Sequence, residues 1–430
     1  MTPRMRVHGA ALLALVTAVA LLPAQSGLRG RVEGAGDARV QFSYTARADV
    51  CGAGSWIQIG TSTYVSSGGG IGSSGGIERT PCQRGPVVVR VTRAGGAVVG
   101  VDAELAPERT PEGVTDLGRV SGAAAAEYLL DLAARADGRP GREAIMPAVL
   151  ADSAIVWPGL IALARNRAIS RSVRSSAMSW LGREIDRASG ADARQASAAL
   201  VGMATDGDET LPIRQQAVQV LARSERADLA ALTRMANGTD GWLRQASVQA
   251  LAGSGDPRAL DFLRAAFQDP ALPEALRTTV IRGLGREYAT PKDLELLRSR
   301  YAGMATVSTR QAIISVMGEH GGSANLQWLL GIAADPETAS EQRAQAVEAA
   351  QRAGATTEQL GRLYSGSPDR RGKEAAINAL FKNGDRQAVD RLIMIARTET
   401  DPAVRRSLIS RLGRLEDERV KELLKELVGQ

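Results

Sequence analysis

Residues 213–221 read Ile-Arg-Gln-Gln-Ala-Val-Gln-Val-Leu, and residues 173–181 read Val-Arg-Ser-Ser-Ala-Met-Ser-Trp-Leu. In both stretches a basic residue is followed by apolar residues four and seven positions later. These spacings place the apolar side chains on one face of an α-helix. Each stretch therefore predicts an amphipathic helix whose basic residue lies beside the buried face.

The same pattern recurs along the second half of the chain. The basic residues that begin the copies are Arg174, Arg214, Arg244, Arg277, Arg310, Arg343, Lys373 and Arg405. They follow one another at intervals of 30 to 40 residues, and an apolar segment such as 392–396 precedes each copy. A period of this length is typical of repeat proteins built from helix pairs. We call these eight residues the ladder.

The motif Val-Arg-x-x-Ala-x-x-x-Leu at 173–181 resembles the second helix of HEAT repeats, in the short bacterial form also seen in bilin-lyase-like (PBS-lyase) proteins. The resemblance covers about residues 157–415, with a degenerate capping pair at 128–153. It implies a mainly α fold: a right-handed α-solenoid of HEAT-like helical hairpins over 119–430, with about eight repeats plus capping helices. It also implies that the ladder ties neighbouring repeats together, and phosphate binding by these side chains is the alternative.

Residues 27–118 differ from this pattern because their apolar residues alternate and turn residues separate them. Strands are predicted at 39–44, 55–59, 87–91 and 97–101, with a hairpin turn at 93–96. The Gly/Ser-rich run 66–76 contains a G-x-G-x-x-G spacing, but no helix follows to hold a phosphate, so we interpret it as a hairpin loop. The region is predicted to be a small antiparallel β domain, joined to the helices by a linker at 106–112.

Residues 1–26 are predicted to be a cleaved signal peptide. Arg4 and Arg6 precede an apolar run at 10–22, which is too short to span a bilayer. This leader predicts a periplasmic or secreted protein. In an oxidising compartment the two cysteines, Cys51 and Cys82, are expected to form a disulfide.

Composition limits the chemistry that the chain can perform. The two histidines are His8, inside the predicted leader, and His320, so a His-based catalytic group or a His/Cys metal site is not expected. His320 is predicted to lie at a helix end, where a cation is favoured. The formal charge of +6, of which Arg4 and Arg6 supply two, is too small to indicate nucleic-acid binding. No cofactor, metal or catalytic residue is predicted.

The predicted recognition surface lies one and five positions after the ladder residues, away from the buried face. Position +5 is polar in every copy, and several of these side chains are amides. The candidate partner-binding residues are Gln215, Gln219, Gln245, Gln249, Arg282 and Gln311, together with Trp180 and Trp242 as exposed anchors. The alternative is that this stripe is only a solvated face.

Taken with the predicted leader, these features predict an exported, non-enzymatic scaffold. It is expected to bind a protein or peptide along the concave face of the solenoid, without nucleic acid and without a membrane span. Two alternatives stay open at this point: an enzyme of the bilin-lyase-like class and a nucleic-acid-binding HEAT protein.

Overall fold

The computed structural model describes residues 27–60, 62–65, 82–105, 109–136, 138–224, 226 and 228–428. The predicted signal peptide at 1–26 and the predicted loop at 66–76 lie outside these residues. Seven strands are present in the described part: β1 (Arg39–Thr45), β2 (Val50–Ala53), β3 (Trp56–Ile59), β4 (Ser62–Val65), β5 (Pro86–Ala94), β6 (Ala97–Leu105) and β7 (Val114–Arg119).

The strands form two sheets, one with the order β6-β5-β1-β7 and one with the order β2-β3-β4. All neighbours are antiparallel except β7, which runs parallel to β1. The antiparallel β region is therefore confirmed, with one parallel edge strand that alternation did not predict. Strands β5 and β6 pair up to Ala94 and Ala97, with a bulge that leaves Val99 unpaired, so the predicted hairpin at 93–96 is present.

A disulfide joins Cys51 on β2 to Cys82, a few residues before β5. It closes a loop of 31 residues, which on the chain-entropy argument stabilises the fold by about 3–4 kcal/mol. The predicted pairing is confirmed.

Before residue 166 the described part of the chain has the helices α1 (Leu28–Gly34), α2 (Gly122–Arg135), α3 (Gly138–Leu150) and α4 (Trp157–Arg165). Helices α2 and α3 pack against the large sheet. Phe42 on β1 meets Tyr128 on α2 edge to face at 5.8 Å, and the hydroxyl of Tyr44 donates to the carbonyl of Pro147 on α3. The chain divides into two compact units, Met1–Leu181 and Gly182–Gln430. The boundary expected at 118/119 thus lies inside the first unit, because helices α2 and α3 share a core with the sheet.

The remaining helices alternate along the chain as first and second members of hairpins. The second helices are α5 (Arg171–Arg187), α7 (Leu211–Arg223), α9 (Gly241–Ser254), α11 (Glu274–Leu284), α13 (Val307–His320), α15 (Ser340–Arg352), α17 (Arg370–Asn383) and α19 (Pro402–Leu412). The first helices are α4, α6 (Gly190–Thr205), α8 (Leu229–Ala236), α10 (Leu260–Gln268), α12 (Pro291–Arg300), α14 (Ser323–Ala334), α16 (Thr357–Gly366) and α18 (Arg386–Thr398), and α20 (Glu418–Val428) ends the array. The mainly α, repeat-like fold is confirmed.

Within residues 182–430 the second helices form the more closely packed layer of the array. Consecutive second helices meet at pairs of small residues. One member of each pair lies eight positions after its ladder residue, and the other lies six positions after the next ladder residue. A Cβ added to Gly283 would lie 2.8 Å from the Cβ of Ala252, and one added to Gly318 would lie 2.8 Å from the Cβ of Ala349. Such separations leave no room for a methyl group, so glycine sets the close approach of neighbouring repeats.

No helix among the described residues is both long and apolar enough to cross a membrane.

Candidate recognition surface on the second helices

The ladder side chains bond to backbone carbonyls near the end of the preceding first helix. The Nε of Arg174 donates to Ala164 O and that of Arg214 to Ala204 O, both at 2.9 Å, while Nε of Arg405 donates to Ala396 O at 3.2 Å. The last carbonyls of a helix have no partner within the helix, and its C-terminus favours a positive charge. The ladder therefore supplies a C-terminal cap for the helix before it.

Other members of the ladder reach the loop between the two helices, and Arg277 reaches both this loop and the last turn of α10. Arg277 donates to Phe267 O, Asp269 O and Leu272 O, each at 3.0 Å. Arg310 donates through Nε to Met304 O at 3.0 Å. Because these loops join the helices of one hairpin, the bonds fix the geometry inside each repeat.

Arg214 and Arg343 also reach the beginning of the next second helix. Arg214 Nη2 lies 3.0 Å from a carboxylate oxygen of Asp240, and Arg343 pairs with Asp369. Each aspartate is the N-cap of the following second helix, so one guanidinium joins the end of one helix to the beginning of another. Arg244 makes a weaker contact. Its side chain is half-buried, and its Nη2 lies 3.5 Å from Ala271 O.

Lys373 replaces arginine in the seventh copy and uses a buried carboxylate. Its Nζ lies 3.0 and 3.1 Å from the two carboxylate oxygens of Glu399, which also accepts from the hydroxyl of Tyr364 and the N–H of Asp401. Burial opposes ionisation of Glu399, but these bonds outweigh it and lower its pKa to about 2. Lys373 therefore has a charged partner within the array, as Arg214 and Arg343 do.

The predicted amide stripe lies on the exposed side of the second helices. Gln215, Gln219, Gln245 and Gln249 are exposed on α7 and α9, two consecutive members of the layer. Arg282 on α11 is exposed as well, and Gln311 on α13 is half-buried. We call these six residues, at +1 and +5, the glutamine stripe. The structure places all six on the same layer of helices, away from the first helices.

Two clefts run between members of this layer. A cleft of about 190 Å³ separates α7 from α9 and is lined by Gln215, Gln219, Arg223, Gln249 and Gly253, among others. The added space arises where Gly253 offers no side chain, since nothing lies within 4 Å of its missing Cβ.

A second cleft of about 560 Å³ lies between α11 and α13. Arg282, Arg286, Gln311, Ser315 and Glu319 contribute to its walls. Like the first cleft, it combines an amide with an arginine nine positions after a ladder residue. The repeat pattern did not single out Arg223 and Arg286 as site residues, although both lie at +9, four positions after +5.

The tryptophans do not form exposed anchors. Trp180 is only 8% exposed, and its ring lies 5.2 Å from that of Tyr64, so its predicted exposure is wrong. Trp242 is half-buried beneath the guanidinium of Arg214, 4.6 Å from its ring centroid, and serves that ladder residue as a cation–π partner.

His320 is the last residue of α13, as the sequence predicts for a helix-end histidine. Its Nε2 lies 2.8 Å from the carbonyl oxygen of Gly285, which ends the preceding second helix. The bond joins the ends of two second helices. Within the described part of the chain, no group of three or more His, Cys, Asp or Glu side chains is arranged to hold a metal ion.

Comparison with known proteins agrees with this geometry. The family model described as HEAT repeats matches residues 229–303 and 357–430, which include ladder residues Arg244, Arg277, Lys373 and Arg405. No curated protein sequence shows a significant match. Among solved structures, human deoxyhypusine hydroxylase in complex with glycerol matches at 16% identity and a TM-score of 0.26, over 63% of this chain and 96% of that chain. This likeness is too low to bear on function. The two matched stretches, together with the repeated hairpins and the ladder, support HEAT repeats in the helical array.

Proposed function

We propose that this HEAT-repeat protein is a non-catalytic scaffold that binds a protein or an extended peptide along the exposed face of its second helices. The observation that carries the proposal is the cleft between α7 and α9, in which Gln215, Gln219 and Gln249 present their amides. An amide side chain offers both hydrogen-bond donors and an acceptor, so it can pair with the N–H and C=O groups of a peptide backbone. The resemblance to HEAT repeats predicts this face to be the concave one.

The packing beneath the face supports a binding role. Gly283 and Gly318 bring consecutive second helices into close contact, and Arg214 and Arg343 join one repeat to the next. A surface that is already ordered loses little conformational entropy when a partner binds. The stripe is therefore held in place by the repeats rather than formed by the ligand.

Export and the absence of catalysis are part of the same proposal. The predicted leader at 1–26 and the disulfide between Cys51 and Cys82 support an oxidising compartment outside the cytoplasm. The imidazole of His320 lies against a backbone carbonyl rather than beside a nucleophile, which supports a structural role for it.

The test is a double substitution on the stripe. Binders are first selected with the intact chain from a displayed library of random peptides, and their affinities are measured by isothermal titration. In the Gln219→Glu/Gln249→Glu variant each amide donor is replaced by an acceptor-only group of the same shape. An unpaired donor or acceptor typically costs about 1–3 kcal/mol, so binding should weaken by about tenfold or more.

The matched control changes two exposed glutamines of first helices, Gln327 and Gln387, to glutamate. It adds the same charge to the opposite layer and should leave the affinity unchanged. If the stripe variant binds the selected peptides as tightly as the parent, the contact surface lies elsewhere and the proposal is wrong.

A further inference from the structure

A second set of side chains follows the glutamine stripe along the array. The ninth residue after the ladder residue is basic in six of the eight copies. The six residues are Arg183, Arg223, Arg286, Arg352, Lys382 and Arg414, and the two exceptions are Gly253 and Glu319. We call these six residues the basic row.

The basic row and the glutamine stripe share one face. Four residues, about one turn, separate +5 from +9, so the members of the row that lie within helices project from the same side as +5. Arg286 and Arg414 follow the last residues of α11 and α19. The clefts show the same relation directly. Arg223 lines the cleft that contains Gln219, and Arg286 lines the one that contains Gln311.

Five of the six cations of the row form no ion pair among the residues that the structure describes. Arg223, Arg286, Arg352, Lys382 and Arg414 are all exposed. In the described part of the chain their side chains form neither an ion pair nor a hydrogen bond. Many other exposed arginines do have partners, as Arg135 has in Asp131 at 2.8 Å. A series of uncompensated cations on one face favours an anionic partner.

We propose that the partner is an extended acidic peptide segment, held by the basic row through its carboxylates and by the glutamine stripe through its backbone. This inference rests on the proposed function and specifies its ligand. Packed helices lie about 8–10 Å apart, so cations of adjacent repeats, such as Arg352 and Lys382, are expected at about that spacing, and cations on either side of an exception at about twice that spacing. An extended chain advances about 3.3 Å per residue, so acidic residues at every third position repeat at about 10 Å. The amides at +1 and +5 lie about two turns and one turn before the +9 position of the same helix, so a peptide backbone that crosses the helices there would run beside the row of cations.

The composition of the face favours a peptide over a nucleic acid. None of the residues at +1, +5 or +9 is aromatic, and base stacking on aromatic rings is a main source of single-strand affinity. Trp180 is buried and Trp242 lies under a guanidinium. The acidic side chains of Glu319 and Glu348 interrupt the face, which would repel a continuous phosphate backbone but still admits spaced carboxylates.

The experiment uses the intact chain and a fluorescein-labelled twelve-residue peptide with glutamate at every third position and glycine between, and binding is followed by fluorescence anisotropy. The row variant carries Arg223→Gln, Arg286→Gln and Arg352→Gln. The parent should bind the peptide with an affinity that falls as salt rises from about 20 to about 300 mM, because exposed charges are screened. Each exposed ion pair contributes a factor of about two to three, so the row variant should bind about tenfold more weakly.

A control variant removes three exposed cations from first helices, through Arg194→Gln, Lys292→Gln and Arg386→Gln. It has the same net charge as the row variant, and we expect less than a twofold change in affinity. Equal weakening in the two variants would show that only overall charge attracts the peptide and would overturn the inference. Tighter binding of an oligothymidylate of equal charge would overturn it as well, in favour of nucleic acid.

The failure of this inference differs from the failure of the proposed function. If peptides selected from the random library depend on Gln219 and Gln249 but are not acidic, and the row variant binds them normally, the scaffold role stands and the acidic partner is wrong. If no selected peptide depends on the stripe, the proposed function itself is wrong.

Discussion

Replacing Arg214 by alanine tests how the ladder stabilises the array, because this residue makes three different contacts. Its Nε donates to Ala204 O at 2.9 Å, its Nη2 pairs with Asp240 at 3.0 Å, and its guanidinium lies 4.6 Å from the ring centroid of Trp242. Arg214 is 8% exposed, so its alkyl stem is packed as well. The substitution removes all of these contacts and leaves a buried carbonyl without a donor.

The cost follows from these contacts. An unsatisfied buried acceptor costs about 1–3 kcal/mol, and a cation–π contact with a half-buried ring such as that of Trp242 is worth about 1 kcal/mol. The ion pair adds little, because Asp240 is half exposed and still caps α9 through the N–H of Leu243. We therefore expect Arg214→Ala to lower the free energy of unfolding by about 2–4 kcal/mol.

Arg244→Ala is the matched comparison within the ladder. This side chain is half-buried and has a single 3.5 Å approach to Ala271 O, so its removal should cost less than about 1 kcal/mol. Urea unfolding, followed by far-ultraviolet circular dichroism, measures both variants. Stability in repeat arrays is coupled between neighbours, so hydrogen exchange should also increase in the repeats on both sides of Arg214.

Equal stability of the two variants would contradict this prediction, and so would an Arg214→Ala variant that unfolds like the parent. Either result would mean that the carbonyl of Ala204 finds water in place of the guanidinium. The ladder would then be available for anion binding, which is the alternative that the sequence left open.

Two further predictions concern packing and pH. Gly318→Ala should lower the free energy of unfolding by about 1–3 kcal/mol, because the added Cβ would lie 2.8 Å from that of Ala349. Gly253→Ala should raise the free energy of unfolding by about 0.5–1 kcal/mol, because Gly253 lies in α9 with nothing within 4 Å of the added Cβ. Thermal unfolding measures both, and a loss at both positions would contradict the packing argument. Because the pKa of Glu399 is lowered to about 2, its contribution to stability is complete above about pH 5 and is lost as the pH falls toward 2. Urea unfolding between pH 7 and pH 3 should show this decline in the free energy of unfolding. The decline should be shallower in the Glu399→Gln variant. An equally steep decline in that variant would exclude the pair of Glu399 with Lys373 as its source.

Local patterns sufficed to predict the helical array. Apolar residues at +4 and +7 give each second helix an apolar face, which is read from the helix's own sequence. Aspartate or threonine N-caps begin many of these helices, and they too are local signals. The same holds for the β5–β6 hairpin, whose Gly95 and Gly96 adopt positive φ angles, and for the cysteine pair. Exposure of Gln215, Gln219, Gln245 and Gln249 also follows from period alone, since they lie opposite the buried face.

Contacts between distant segments were decided by the tertiary structure. Trp180 is buried because Tyr64, more than a hundred residues earlier, lies against it, and no periodicity in α5 signals that contact. Strand β7 pairs in parallel with β1 across the intervening hairpin, which alternation within either strand cannot indicate. The unequal strength of the ladder has the same origin: Arg214 and Arg244 occupy identical positions in the repeat, yet only Arg214 has an N-cap aspartate and a tryptophan ring within reach. Sequence period fixes which face a side chain occupies, whereas its burial and partners depend on what the rest of the chain brings to that face.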